Sequence, residues 1–288
     1  MSIVTRFAPS PTGYLHVGHA FSALLAWRRA RIGEGRFLLR LEDIDPVRCR
    51  PEFATAILED LAWPGIDWDG HVRVQSDHLG DYAAVLDNLR ARGLIYPCFC
   101  SRADIQRHVI AAAPHGPDGG PVYPGTCRNL SAAERTARAD QPHALRLDMQ
   151  RALIPGLTFE EEGEGMIVAD PARFGDVVLA RKDTPTSYHL CVTHDDALQG
   201  VTLVTRAEDL KPATHLHRLL QALMGWPTPL YAHHGLLTDS AGRRLAKRDR
   251  AVTLRALRAA GAKPEELRDR LQSGSAEAVA AWMTEVTG

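Results

Sequence analysis

Two histidines bracket a glycine in His16-Val17-Gly18-His19, just after a loop stiffened by Pro9 and Pro11. Imidazole N–H groups donate to phosphate oxygens, and glycine lets a phosphate or a flat base approach the backbone. A helix starting at Val17 would add its free N–H groups and its dipole to the same site. Three cysteines, Cys98, Cys100 and Cys127, lie within about thirty residues. Such a cluster suits zinc, whose sites are tetrahedral with sulfur and nitrogen ligands. His108 or His115 would be the ordinary fourth ligand; the bland alternative is three buried free thiols. Nothing nearby resembles a base for metal-bound water, so the site reads as structural. A basic run, Arg243 to Arg250, holds five cations and one acid. By itself it reads as a solvated basic loop.

These groups need elements to position them. Ile3 to Phe7 reads as a short buried strand, and Val17, Phe21, Leu24 and Leu25 recur at helical spacing. Arg36 to Glu42 reads as a second strand. It delivers Glu42, Asp43 and Asp45 to its carboxyl end, where open α/β sheets bind ligands. Asp43 and Asp45 are also ordinary turn residues. Pro51 opens a helix with Phe53, Ile57, Leu58 and Leu61 on one face. Another helix follows Gln75, with Leu79, Tyr82, Leu86 and Leu89 inward and Gly93 as its stop. Alternation of strands and helices predicts a parallel sheet. Cys98 and Cys100 fall on one face of an extended segment. Ala111 to Gly120 is a loop by composition. Ala144 to Asp148, Leu157 to Glu160 and Phe174 to Ala180 look extended. Thr186 to Asp196 reads as a buried strand, and Gly200 to Arg206 as another, with Arg206 at the ligand edge. A helix is predicted over 209–224 with Leu216, Leu219, Leu220 and Leu223 inward. Thr253, Pro264 and Ser275 look like later helix starts.

The chain has 288 residues, 45% hydrophobic and 24% charged, an ordinary globular balance. A net charge of −1 gives no global attraction for nucleic acid, so RNA would be met by local patches. No apolar run is long enough to span a bilayer, and no signal peptide opens the chain. Five cysteines, an odd number, fit a reduced, cytoplasmic protein better than a disulfide framework.

A bare His-x-Gly-His is weak evidence. Preceded by Arg6-Phe-Ala-Pro-Ser-Pro-Thr-Gly13 it is far more specific. Arg6 to His19 resembles the signature of class I glutamyl-tRNA synthetases, including their HIGH motif. Chain length and later details are similar to the glutamyl-Q tRNA(Asp) branch. The resemblance implies an α/β fold: a Rossmann-type parallel sheet with an inserted α+β zinc-bearing subdomain and a short helical C-terminal tail. The implied boundaries are 1–96 and 187–240 for the two catalytic halves, 97–186 for the insertion, and 241–288 for a KMSKS-like loop and tail. An anticodon-binding domain is not expected.

It also implies a site, residue by residue. Arg6, Phe7, Ala8, Pro9, Ser10, Glu42, Tyr188 and Arg206 match the glutamate-binding positions. His16, Gly18, His19 and Lys247 match those for ATP, with His16, His19 and Lys247 catalytic. Tyr123 matches the fourth ligand of one Zn²⁺ held with Cys98, Cys100 and Cys127. Arg244-Leu-Ala-Lys-Arg248 departs from KMSKS: Arg244 replaces the first lysine, and Ala246 and Arg248 replace the serines. The implied partners are L-glutamate, ATP with Mg²⁺, and tRNA(Asp) carrying queuosine, with no membrane and a monomeric protein. A shortened glutamyl-tRNA synthetase acting on tRNA(Glu), a small-molecule adenylate-forming ligase and a non-catalytic binding module are the alternatives.

Overall fold

The computed structural model describes residues 2–108, 116–117, 119–237, 252–272 and 276–287. It opens with β1 (Val4–Phe7), α1 (Val17–Ile32), β2 (Arg36–Leu41), α2 (Pro51–Ala62) and β3 (Arg73–Val74). Next come α3 (Leu79–Ala91), β4 (Ile95–Cys98), α4 (Arg102–His108), α5 (Ala132–Thr136), β5 (Ala144–Leu147) and α6 (Met149–Ala152). They are followed by β6 (Thr158–Glu161), β7 (Gly165–Val168), β8 (Val178–Ala180), α7 (Tyr188–Leu198), β9 (Leu203–Ala207) and α8 (Ala213–Met224). The last group is β10 (Leu230–His234), α9 (Leu254–Ala259), α10 (Pro264–Gln272) and α11 (Ala276–Thr287). Contacts divide them into two compact units, Met1–Ser76 with Val201–Asp209 and Pro229–Gly288, and Asp77–Gly200 with Leu210–Thr228.

The first unit is built on parallel strands. β2 pairs with β1 and β3, and β10 pairs with β9, each in parallel register. Thr202 N–H donates to the Val4 carbonyl at 3.0 Å, and Val4 N–H donates to Thr202 Oγ1 at 2.9 Å, which brings β9 beside β1. Because the strands run one way, their carboxyl ends share an edge, where such sheets take ligands. Helix α1 buries Ala20, Ala23, Ala26 and Ala30, small residues that let it sit close to the sheet. Its core continues through Phe37, Leu39, Ile57 and Leu61 to Leu254, Leu257, Leu267 and Trp282 of the later helices. Gly35 is obligatory where the chain turns into β2, because a Cβ there would lie 1.9 Å from the Ile3 carbonyl oxygen.

In the second unit β4, β5 and β8 form an antiparallel sheet, and β6 and β7 form a hairpin. α8 buries Leu216, Leu219, Leu220 and Leu223 as its spacing predicts, and stops at Gly225 with φ of 69°. The predicted start at Asp209 is corrected to Ala213, because residues 208–210 form a short 3-10 turn and Pro212 caps the helix. Thr186 to Asp196 is corrected from a strand to α7. This helix buries Leu190, Cys191, Val192, Thr193, Asp195 and Asp196, so no clean 3.6-residue period shows. The extended reading of Phe174 to Ala180 holds over Val178–Ala180, while Pro171–Phe174 is a 3-10 turn. Leu79 opens α3 but is 37% exposed, whereas Tyr82, Leu86 and Leu89 are buried as expected.

Candidate active site and metal centre

Helix α1 begins with an unusual cap. His16 is its N-cap residue, in extended backbone geometry with φ of −117° and ψ of 174°. The His19 N–H donates to His16 Nδ1 at 3.4 Å, and the His16 N–H donates to His19 Nδ1 at 3.2 Å. Each ring therefore uses Nδ1 as an acceptor, which leaves the ring proton on Nε2. The rings stack, with centroids 3.7 Å apart. Burial lowers the pKa of His16. Burial, then the nearness of His16, pushes His19 down to about 3. At neutral pH the pair is two uncharged imidazoles, each with one N–H to offer.

Beside them lies a cleft of about 240 Å³ lined by His16, Gly18, His19, Ser22, Asp209 and His234, among others. Sequence reading passed over Ser22 and His234. His234 ends β10, its Nδ1 lies 2.9 Å from the Gly235 carbonyl, and its Nε2 lies 3.0 Å from Ser22 Oγ. The signal that could have found it is a histidine at the carboxyl end of a parallel strand. The backbone on either side of His16 is tied to the start of α9. His16 bridges Thr253, and Leu254 N–H donates to the Leu15 carbonyl at 2.8 Å.

A charged cluster stands at the same sheet edge. Arg6, Glu42 and Arg206 are 5%, 8% and 6% exposed. Arg6 Nη1 donates to the Thr205 carbonyl at 3.2 Å, next to Arg206 in the chain. Arg206 Nε donates to His233 Nε2 at 3.0 Å, and its guanidinium lies 5.5 Å from the centre of the Tyr231 ring. The Glu42 N–H donates to the Pro9 carbonyl, which ties the proline loop to β2. Phe7 and Pro9 are buried, Ala8 is half-buried and Ser10 is exposed. Asp43 and Asp45 do turn work: Asp43 accepts from Ser76, and Asp45 from the N–H groups of Val47 and Arg48. Tyr188 is the half-buried first residue of α7, in the second unit. Lys247 and the Arg244–Arg248 stretch lie outside the described residues.

In the second unit the sulfurs of Cys98, Cys100 and Cys127 all lie within 4.8 Å of one another. The Tyr123 hydroxyl stands 3.4 Å from Cys98 Sγ and 3.5 Å from Cys100 Sγ, and accepts from the Cys127 N–H at 2.9 Å. Burial, then hydrogen bonding to the thiols, raises the Tyr123 phenol well above its usual range. Burial pushes the Cys100 thiol up to about 11.

A family model described as "tRNA synthetases class I (E and Q), catalytic domain" matches residues 2–275. This chain belongs to that family. The glutamyl-Q tRNA(Asp) synthetase of Rhodobacter capsulatus is 52% identical over 280 residues, covering 92% of this chain and 98% of its own. The enzyme of the same name from Symbiobacterium thermophilum is 45% identical, covering 90% and 82%. The crystal structure of glutamate-tRNA synthetase from Elizabethkingia anophelis superposes with a TM-score of 0.74 at 27% identity, covering 86% of this chain and 53% of that one. The chain thus spans about half the length of that solved relative.

Within this synthetase family, zinc is the metal to test against the cysteine cluster. Tetrahedral Zn–S bonds of about 2.3 Å put sulfurs roughly 3.8 Å apart, and an oxygen ligand roughly 3.5 Å from each sulfur. The Cys100–Cys127 separation of 3.5 Å and the two Tyr123 distances fit that set. His115 and the side chain of His108 lie outside the described residues. Zinc held by Cys98, Cys100, Cys127 and Tyr123 would cross-link β4 to the following turn, a structural duty.

Proposed function

We propose that this synthetase activates L-glutamate with ATP and transfers it to queuosine at the wobble position of tRNA(Asp). The observation that carries the reading is one sheet edge holding both halves of the chemistry. The His16–His19 cap offers two Nε2–H donors at a helix N-terminus, and Arg6, Glu42 and Arg206 are buried at the carboxyl ends of β1, β2 and β9. The acceptor is argued from the names of the relatives.

In the first step a carboxylate oxygen of glutamate attacks the α-phosphorus, and the bond to pyrophosphate breaks. The attacking group is already an anion, so no side-chain base is required. The protein contributes placement and charge neutralisation. His16 and His19 donate to phosphate oxygens from fixed tautomers, and the helix dipole adds to them. Lys247 would supply a cation, and Mg²⁺ would offset further phosphate charge. Arg6 and Arg206 suit a carboxylate because their planar forks match its two oxygens. Glu42 suits the ammonium group, and Tyr188 and Ser10 would add hydroxyl contacts. A neutral amide side chain would leave an arginine poorly paired, which selects glutamate over glutamine. In the second step a hydroxyl of the queuosine cyclopentenediol attacks the acyl carbon, loses its proton, and AMP leaves as an ester forms.

The test supplies the protein with ATP and labelled glutamate, then three RNAs: tRNA(Asp) with queuosine, tRNA(Asp) without it, and tRNA(Glu). Label on the queuosine-bearing RNA alone is expected. Label on tRNA(Glu) would mean a glutamyl-tRNA synthetase instead. Adenylate without labelled RNA would point to a small-molecule ligase, and no glutamate-dependent pyrophosphate exchange to a non-catalytic module.

A further inference from the structure

Arg146 sits on β5 beside the cysteine cluster and is 9% exposed. Its guanidinium carbon lies 3.9 Å from the centre of the Tyr123 ring. One nitrogen, Nη1, donates to the Asp176 backbone carbonyl at 2.6 Å, while Nε is buried with no hydrogen-bond partner among the described residues. The nearby Asp176 carboxylate is committed elsewhere, to Arg128, to the Tyr96 hydroxyl and to the Met149 N–H. Among the described residues no carboxylate forms an ion pair with Arg146. Arginine keeps its charge in proteins. A buried cation without an anion is strongly unfavourable, so its persistence calls for negative charge close by.

The metal-loaded cluster would supply that charge. Three thiolates on a zinc dication leave one net negative charge, and a phenolate from Tyr123 would make it two. We propose that Arg146 is the counter-cation of the cysteine–tyrosine centre, holding the anionic zinc complex in place through the face of Tyr123. This rests on the reading of the cluster as a zinc site. Arg146 touches no reacting atom in the scheme above, so it acts as a positioning residue for the metal centre. Its sequence neighbourhood, an alternating strand, gives no sign of that duty.

Zinc affinity of the full chain is measured by competition with a colorimetric chelator, for wild type, Arg146→Met and Arg146→Lys. Met keeps the apolar stem and removes the charge; Lys keeps both. Arg146→Met should bind zinc about 10- to 100-fold more weakly, the usual effect of losing an outer partner of a metal site. Arg146→Lys should recover most of that loss. Thermal melts of the zinc-stripped proteins give a second readout. There Arg146→Met should melt at or above wild type, because a buried unpaired charge has gone. Equal zinc affinity in wild type and Arg146→Met would overturn the proposal. So would an equal loss in the Met and Lys variants, or a melting point lowered as much without zinc as with it. A wild-type protein that takes up no zinc would overturn the metal reading itself, and Arg146's role with it.

Discussion

Replacing His16 with Asn keeps a side-chain acceptor at the N-cap, whereas Ala removes both the cap and the ring. The two variants should therefore separate folding from catalysis. His16→Ala should lose about 0.5–2 kcal/mol of stability, read by denaturant titration. His16→Asn should fold nearly as well but slow glutamate-dependent pyrophosphate exchange, by about 10²- to 10³-fold if its Nε2–H serves the phosphates as a preorganised donor does. The pH dependence follows from the same pair. His19 sits near 3 when folded and near 6.5 when unfolded, so the unfolded chain binds the extra proton between those values. Its contribution to stability is complete above about pH 6.5 and is lost as pH falls toward 3. A stability profile that stayed flat from pH 7 to pH 4 in wild type, and equally in a His19→Asn variant, would contradict this. The sequence marks the two histidines as candidate phosphate donors, and the structure brings their rings together at the start of α1. Their reciprocal capping was not legible in the sequence, since histidine is not among the preferred N-cap residues. If Arg206 holds a glutamate carboxylate as proposed, Arg206→Lys should raise the KM for glutamate by about tenfold or more, because a point charge replaces a fork.

Elements explain where reading by pattern stopped. Val4–Phe7 and Arg36–Leu41 are short buried runs and Ala213–Met224 carries a 3.6-residue pattern, and the structure makes them strands and a helix. α7 is buried on most sides, so its run of apolar and β-branched residues mimics a strand. α2 and α9 meet over a costly carboxylate. Asp60 is 1% exposed, neither of its oxygens has a hydrogen-bond partner among the described residues, and Arg258 stands 3.9 Å away. Burial pushes Asp60 up to about 6, although Arg258 pulls the other way. The folded chain then holds a proton that the unfolded chain has lost between about 3.8 and 6, so this group disfavours folding as pH rises through that window. Asp60→Asn should raise the melting temperature at pH 7.5, and the gain should shrink as pH falls from 6 toward 4. An equal gain at both ends of the range would mean that shape, not charge, is responsible.

For the molecule as a whole, metal and fold are expected to stand or fall together in the second unit. Cys127→Ala should lower bound zinc and melting temperature in parallel, by metal analysis and calorimetry. The net charge of −1 gives no overall pull on RNA, so RNA contact must come from local patches. The α/β class and the parallel sheet were readable because strand and helix signals alternate. The proline loop around Pro9 is specific enough to place the family. Arg146 was unreadable, because its meaning depends on a ring 23 positions away in the chain that the fold brings beneath it.

The pairing of Val4 with Thr202, 198 residues apart, and the bridge from His16 to Thr253 bear on synthesis at the ribosome. β1, α1 and β2 emerge early and can pair locally, but β1 keeps an open flank until β9 is made. The cleft waits longer, for His234 and the residues up to Leu237. A nascent chain therefore spends most of its translation with an exposed strand edge and an incomplete cleft, a state prone to wrong pairing. Slow translation or premature termination before Val201 would yield chains that seek other strands and lack the cleft beside His16.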